Sequence, residues 1–133
     1  MGDRAVVFFI HKYKIKGEEK ISVSPGVYLH WSGRPERVEE FLTKALPRMR
    51  QGDCQYSAAR FCGVCHEMIE GNLSLGLFNA PDNLIEMSRE EMDERFLCDN
   101  GIYLVDVSDW TVTQKGVSNP VSFNLDKNRI PEG

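Results

Sequence analysis

The sequence predicts an α+β fold, an antiparallel sheet with two amphipathic helices packed on one face. Three observations predict it. Strand-forming runs come in neighbouring pairs rather than alternating singly with helices. Two stretches carry apolar residues at helical spacing. The size, 133 residues with 41% hydrophobic and 27% charged side chains, is that of one ordinary soluble domain. A chain this long buries enough surface to fold without a metal or a disulfide.

Arg4–Lys14 reads as the first strand, because Val6, Val7, Phe8, Phe9 and Ile10 are strong strand formers. Its unbroken apolar start predicts a central strand covered on both faces. Lys16–Glu19 is a turn. A second strand runs from Ile21 to Leu29 and is interrupted at Pro25-Gly26. Proline has no N–H for the ladder, so that point is a bulge or an edge.

Pro35 suits the first position of a helix, where its missing N–H has no partner anyway. Val38, Phe41, Leu42, Ala45 and Met49 form its apolar stripe, and Pro47 ends or kinks it. Asp53 is a good N-cap for the second helix. Its stripe is Cys54, Ala58, Phe61, Cys62, Cys65, Met68 and Ile69, and Gly71 is its stop. Leu73–Phe78 is a strand, 79–83 is dense turn chemistry, and Leu84–Met87 returns as a short strand. Ser88-Arg89-Glu90-Glu91 matches a capping box, with Met87 and Met92 as a hydrophobic staple, opening a short helix to about Leu97. The alternative there is a hairpin turning at Asn100-Gly101, with Arg95–Cys98 extended. Ile102–Val107 is a strand, and Trp110–Thr113 continues as strand, so the element order ends in two strands. The domain spans 1–126, and 127–133 is a loose tail.

Ten basic and six acidic side chains fall in residues 1–50, a net +4. Residues 51–133 hold six basic and fourteen acidic, a net −8. The first half could therefore turn a positive face to an anion, although the whole chain, at −4, argues against nucleic acid. Ala5–Ile10 is too short for a membrane span and lacks a signal-peptide cleavage pattern. The expectation is a cytoplasmic protein whose four cysteines are reduced thiols.

Cys62-Gly63-Val64-Cys65-His66 matches the attachment pattern of c-type haem. That chemistry needs an oxidising compartment, and both cysteines lie on an apolar helical stripe, where free cysteine behaves as a small hydrophobe. A zinc site would need four converging ligands, and no second closely spaced pair accompanies this one. The sequence thus calls for no cofactor and no metal. His30-Trp31-Ser32-Gly33 is the most informative polar cluster. It ends a strand and opens a helix, where backbone N–H groups can receive an anion. Arg34 stands beside it, and Arg4 begins the strand expected next to it. Tyr56 and Arg60 lie four apart on the second helix, off its main stripe. If they converge with His30, then Arg4, His30, Trp31, Arg34, Tyr56 and Arg60 form a cationic, aromatic-lined pocket.

Met1-Gly2-Asp3-Arg4-Ala5, Val27-Tyr28-Leu29-His30-Trp31-Ser32-Gly33 and Tyr56-Ser57-Ala58-Ala59-Arg60 are the carriers of a resemblance. Across roughly residues 1–80 the chain resembles a group of small bacterial and phage proteins that open with M-G-[SD]-R-A and carry Y-x-H-W-x-G before a helix. The resemblance brings no activity with it. It implies a cytosolic protein, phage-encoded in part of that group, with Arg4, His30, Trp31 and Arg60 as the positions of interest. No recognisable catalytic set is present, so the expected function is non-enzymatic binding. The partner is a host protein, such as a defence component, or a small anionic ligand such as a signalling nucleotide. A homo-oligomer is compatible with either. The rival is a small hydrolase-like enzyme, with His30 as general acid/base, Ser32 or water as nucleophile, and Arg4 or Arg60 stabilising developing charge.

Overall fold

The computed structural model describes residues 3–68, 75–96 and 99–125. Seven strands form one sheet: β1 (Ala5–Ile15), β2 (Glu18–Val23), β3 (Gly26–Leu29), β4 (Leu75–Phe78), β5 (Ile102–Asp106), β6 (Thr111–Lys115) and β7 (Ser122–Asn124). Helices α1 (Pro35–Ala45), α2 (Cys54–Met68) and α3 (Arg89–Phe96) complete the α+β architecture. The strand order is β4-β3-β1-β5-β6-β7, with β2 also paired to β1. Every pairing is antiparallel except β1 with β5, which are parallel in the register Val6 to Ile102 through Ile10 to Asp106. That one parallel pairing makes the sheet mixed rather than wholly antiparallel.

The apolar start of β1 is covered on both faces, as its composition requires. Ala5, Val7 and Phe9 point into the core built by α1 and α2. Val6, Phe8 and Ile10 point into a second, smaller core closed by Leu84 and Met92. The stripes of the two long helices are buried as read: Val38, Phe41, Leu42 and Ala45 from α1, and Cys54, Ala58, Phe61 and Cys65 from α2. Phe61 packs on Phe9 with ring centroids 5.5 Å apart. Each such fully buried ring contributes about 1.5–3 kcal/mol relative to exposure.

The break at Pro25-Gly26 is a bulge between β2 and β3, which pair with successive parts of β1 on the same side. Ser24 repairs the ladder there. Its backbone N–H donates to Phe9 O at 2.9 Å, and its buried hydroxyl accepts the Phe9 N–H at 2.9 Å and donates to Pro25 O at 2.9 Å.

One expected element changes type and one shifts its bounds. Leu84–Glu86 is a 3-10 turn, not a strand. Leu84 is wanted as a plug under the second core rather than as a ladder residue. The last two expected strands form as β5 and β6, with Trp110 in the turn between them rather than at the start of the second. The chain reverses through Asp106–Trp110, where Trp110 takes φ 62° and its N–H donates to Asp106 O at 2.7 Å, so Thr111 starts an antiparallel return strand. The strand β7 carries no apolar run and was not legible beforehand. The capping box forms as predicted: Glu91 N–H donates to Ser88 Oγ at 3.1 Å, and Ser88 N–H to Glu91 Oε1 at 3.2 Å. Arg95 and Phe96 are helical. Residues 97–98 and the tail 127–133 lie outside the described residues.

Candidate functional site

The His30–Arg34 loop is bound to the start of β1 and to β5. Ser32 adopts φ 71°, a left-handed conformation that a non-glycine residue holds at a cost of about 1–2 kcal/mol. That kink brings Gly33 flat against β1, where its N–H donates to Asp3 O at 2.7 Å. A Cβ on Gly33 would sit 2.5 Å from that same carbonyl oxygen and 2.9 Å from Ala5 Cβ, so no side chain fits. On the other side, the fully buried Tyr103 of β5 donates its hydroxyl to Gly33 O at 2.8 Å. Gln114 Nε2 donates to the Tyr103 hydroxyl at 3.3 Å and to Asn100 O at 2.9 Å. Burial, reinforced by Asp3 and Glu36, pushes the Tyr103 phenol well above its ordinary 10.0. It is a fixed donor at every physiological pH.

What this rigid loop displays is an aromatic run. Phe78 of β4 meets Tyr28 of β3 edge-on at 5.6 Å. Tyr28 lies 6.0 Å from His30, and its hydroxyl hydrogen-bonds His30 Nδ1 at 2.8 Å. His30 in turn meets Trp31 at 4.6 Å and 88°. The run ends on the Trp31 indole, which is 50% exposed. Tyr28 is the residue the sequence reading passed over, although a strand's period of two places it on the same face as His30. Phe78 joins only through the β3–β4 register, opposite Gly26, which no local pattern announces.

The cations at this end are matched by acids. Arg4 forks onto Asp99, with Nε 3.2 Å from Oδ2 and Nη2 3.4 Å from Oδ1, and the Arg4 N–H donates to the same carboxylate at 3.1 Å. Those hydrogen bonds hold the Asp99 carboxyl below its ordinary 3.8. Arg34 Nε lies 3.9 Å from Asp3 Oδ2, whose other oxygen accepts from Asn100 Nδ2 at 2.7 Å. The surplus positive charge of the first fifty residues is therefore not concentrated here.

Tyr56 and Arg60 belong to a different cluster. The chain leading into α2 is tied to the far end of β1: Gly52 N–H donates to Val107 O at 3.0 Å, and Val107 N–H to Ile10 O at 2.9 Å. Asp53 caps the helix through Tyr56 N–H at 3.0 Å, as its identity predicts. Two guanidinium groups contact the Tyr56 ring, Arg50 at 4.0 Å and Arg60 at 4.8 Å from its centroid. Arg60 Nη2 also donates to the Tyr56 hydroxyl at 2.9 Å. Arg4, His30, Trp31 and Arg34 are thus held together at one end of β1, while Tyr56 and Arg60 are held with Arg50, which the sequence reading did not single out.

Cys54 and Cys65 are buried in the larger core, and burial pushes both thiols above their ordinary 9.0. A thiol in that state is a packing group rather than a nucleophile. Cys62 is half-buried, and His66, exposed one residue past Cys65, turns away from it. Among the described residues no three His, Cys, Asp or Glu side chains converge to hold a metal ion, and no helix is long and apolar enough to cross a membrane. Cys98 lies outside the described residues. No protein-family model, curated protein or solved structure matches this chain.

Proposed function

We propose that this chain is a cytoplasmic, non-enzymatic binding protein that engages a partner protein through its His30–Trp31 end. One observation carries the reading: a half-exposed indole at the tip of four touching aromatic rings, on a loop clamped by Gly33 and Tyr103. Exposed tryptophans on rigid supports are the side chains that dominate protein interfaces. The pairing of Arg4 with Asp99 and of Arg34 with Asp3 favours a protein surface over a small polyanion, because a compact anion needs converging, uncompensated cations. The resemblance to small bacterial and phage proteins is the ground for taking a host protein, such as a defence component, as that partner. His30 spends its Nδ1 on Tyr28 rather than on Ser32, which favours binding over hydrolase-like chemistry.

The test is affinity capture from host lysate with wild-type chain and Trp31→Ala in parallel. The expected result is a partner retained by the wild type and lost with Trp31→Ala, whose fold is intact by circular dichroism. A partner retained equally by both overturns the reading. A second reading, a nucleotide stacked on Trp31, draws on Arg34, whose side chain is 63% exposed with its acid as far as 3.9 Å. Thermal-shift screening with linear and cyclic nucleotides tests it, and no shift at millimolar ligand removes it.

A further inference from the structure

Among the described residues the sheet has three terminal strands, and they are not equally defended. An open edge presents unpaired backbone donors and acceptors, which natural proteins guard with charge, proline or brevity. The outer strand β2 carries Glu18, Glu19 and Lys20. The strand β7 has three residues and follows Pro120. The strand β4, Leu75-Gly76-Leu77-Phe78, has no charge and no proline, and among the described residues it pairs with β3 alone. Leu77 is 67% exposed and Phe78 37%. On the α2 side Leu77 borders an apolar groove of about 360 Å³, lined with Pro25, Ala58, Ala59 and Cys62 and polar only at Gln55.

The β3–β4 register carries a second clue. Each glycine in it stands opposite an aromatic ring: Gly26 faces Phe78, and Gly76 faces Tyr28. Crowding by Phe8 and Val6 accounts for Gly26, since a Cβ there would lie 2.7 Å from the Phe8 ring. Among the described residues nothing crowds Gly76. A Cβ there would meet only Tyr28 atoms, at 3.8 and 3.9 Å, which is ordinary contact. Its outer flank is where a bare backbone has a use.

We propose that β4 is the interface to a second copy of this chain, paired antiparallel across a two-fold axis at Leu77. Opposed residues of an antiparallel pair share a face. With the axis at Leu77, the two Leu77 side chains meet on the α2 side beside the two apolar grooves. Phe78 of each copy then lies opposite Gly76 of the other, repeating the ring-over-glycine pairing already present between β3 and β4. Covering edge glycines with aromatic rings is an established means of stabilising a sheet. A single strand that supplies both a ring and a glycine two residues apart is self-complementary about Leu77, which is what a two-fold interface demands. The uncharged edge matches itself and mismatches the charged β2. The pairing is carried by Leu77 and the function proposed above by Trp31, so the two stand or fall separately.

The experiment is sedimentation equilibrium of the full chain from low to high micromolar concentration, for the wild type and for Leu77→Lys. The expected wild-type mass rises with concentration from 15.2 kDa toward twice that value. Leu77→Lys sets two ammonium groups against each other at the axis and stays at the monomer mass, with unchanged circular dichroism. A wild type that is monomeric throughout overturns the proposal and leaves the edge to a strand of another protein. A dimer that Leu77→Lys does not weaken also overturns it. Should that variant fail to fold, hydrogen exchange on the wild type decides: the amides of 75–78 slow as concentration rises, or the proposal is wrong.

Discussion

Replacing Tyr103 with phenylalanine isolates the bond that holds the candidate loop to the sheet. The ring is fully buried, and its packing survives the change, so the loss is confined to one oxygen. That oxygen donates to Gly33 O at 2.8 Å and accepts from Gln114 Nε2 at 3.3 Å. Gln114 keeps its second acceptor, Asn100 O at 2.9 Å, so its amide is not stranded. The Gly33 carbonyl, on a buried residue, is left without its donor, and an abandoned buried acceptor costs about 1–3 kcal/mol. A loss of about 2 kcal/mol lowers the thermal midpoint of a domain this size by about 6–10 °C. In urea, the expected result is a lower midpoint with an unchanged slope. The alkaline limb supplies an internal check. The phenol titrates higher in the folded protein than its ordinary 10.0, so its contribution is complete below that pH. It is lost as pH rises further, because the unfolded state releases the proton first. The stability gap between wild type and Tyr103→Phe therefore narrows above about pH 10. A loss below about 0.5 kcal/mol, within the range of neutral surface changes, would refute the assignment of Tyr103 as the anchor.

Gly33→Ala drives a methyl into the Asp3 carbonyl and Ala5, backbone and core atoms that cannot swing away. The expected destabilisation is about 3 kcal/mol or more, read by the same urea melts, with a matching loss of protease resistance around residues 30–34. Arg4→Ala releases Asp99, whose carboxyl then titrates back toward 3.8 when followed by NMR. Asp99 sits low in the folded state, so its contribution is present above the unfolded value and fades as pH falls. Arg4→Ala flattens that acid limb.

The parts of the fold that were legible are those fixed by local pattern. The double-sided burial of β1 follows from Val6–Ile10 being apolar at every position, and the Ser88–Glu91 box caps α3 with no long-range help. What stayed hidden depends on partners distant in sequence. Leu84–Glu86 has a strand's composition but plugs a core, and the parallel neighbour of β1 arrives from Ile102–Asp106. The site shows the same division. The strand end at His30-Trp31 and the glycine after it were readable, whereas the acids that pair with Arg4 and Arg34, and the separation of Tyr56 and Arg60 from them, depend on tertiary placement. Asp99 had no local signal, being an ordinary turn residue until β5 sets it beside Arg4.

The lone parallel seam, Val6 to Ile102 through Ile10 to Asp106, stitches residues ninety-six positions apart. The strands on the β4 side of that seam, β1 to β4, all come from residues up to 78, whereas β5–β6–β7 is a meander of nearest neighbours. The entropy of closing so long a loop must be met before the seam yields any bonding. Contact order therefore predicts that each flank gathers its own hairpins first and that their union limits the folding rate. Until the flanks join, Arg4 has no Asp99 and Gly33 has no Tyr103, so the candidate loop lacks both of its distant anchors.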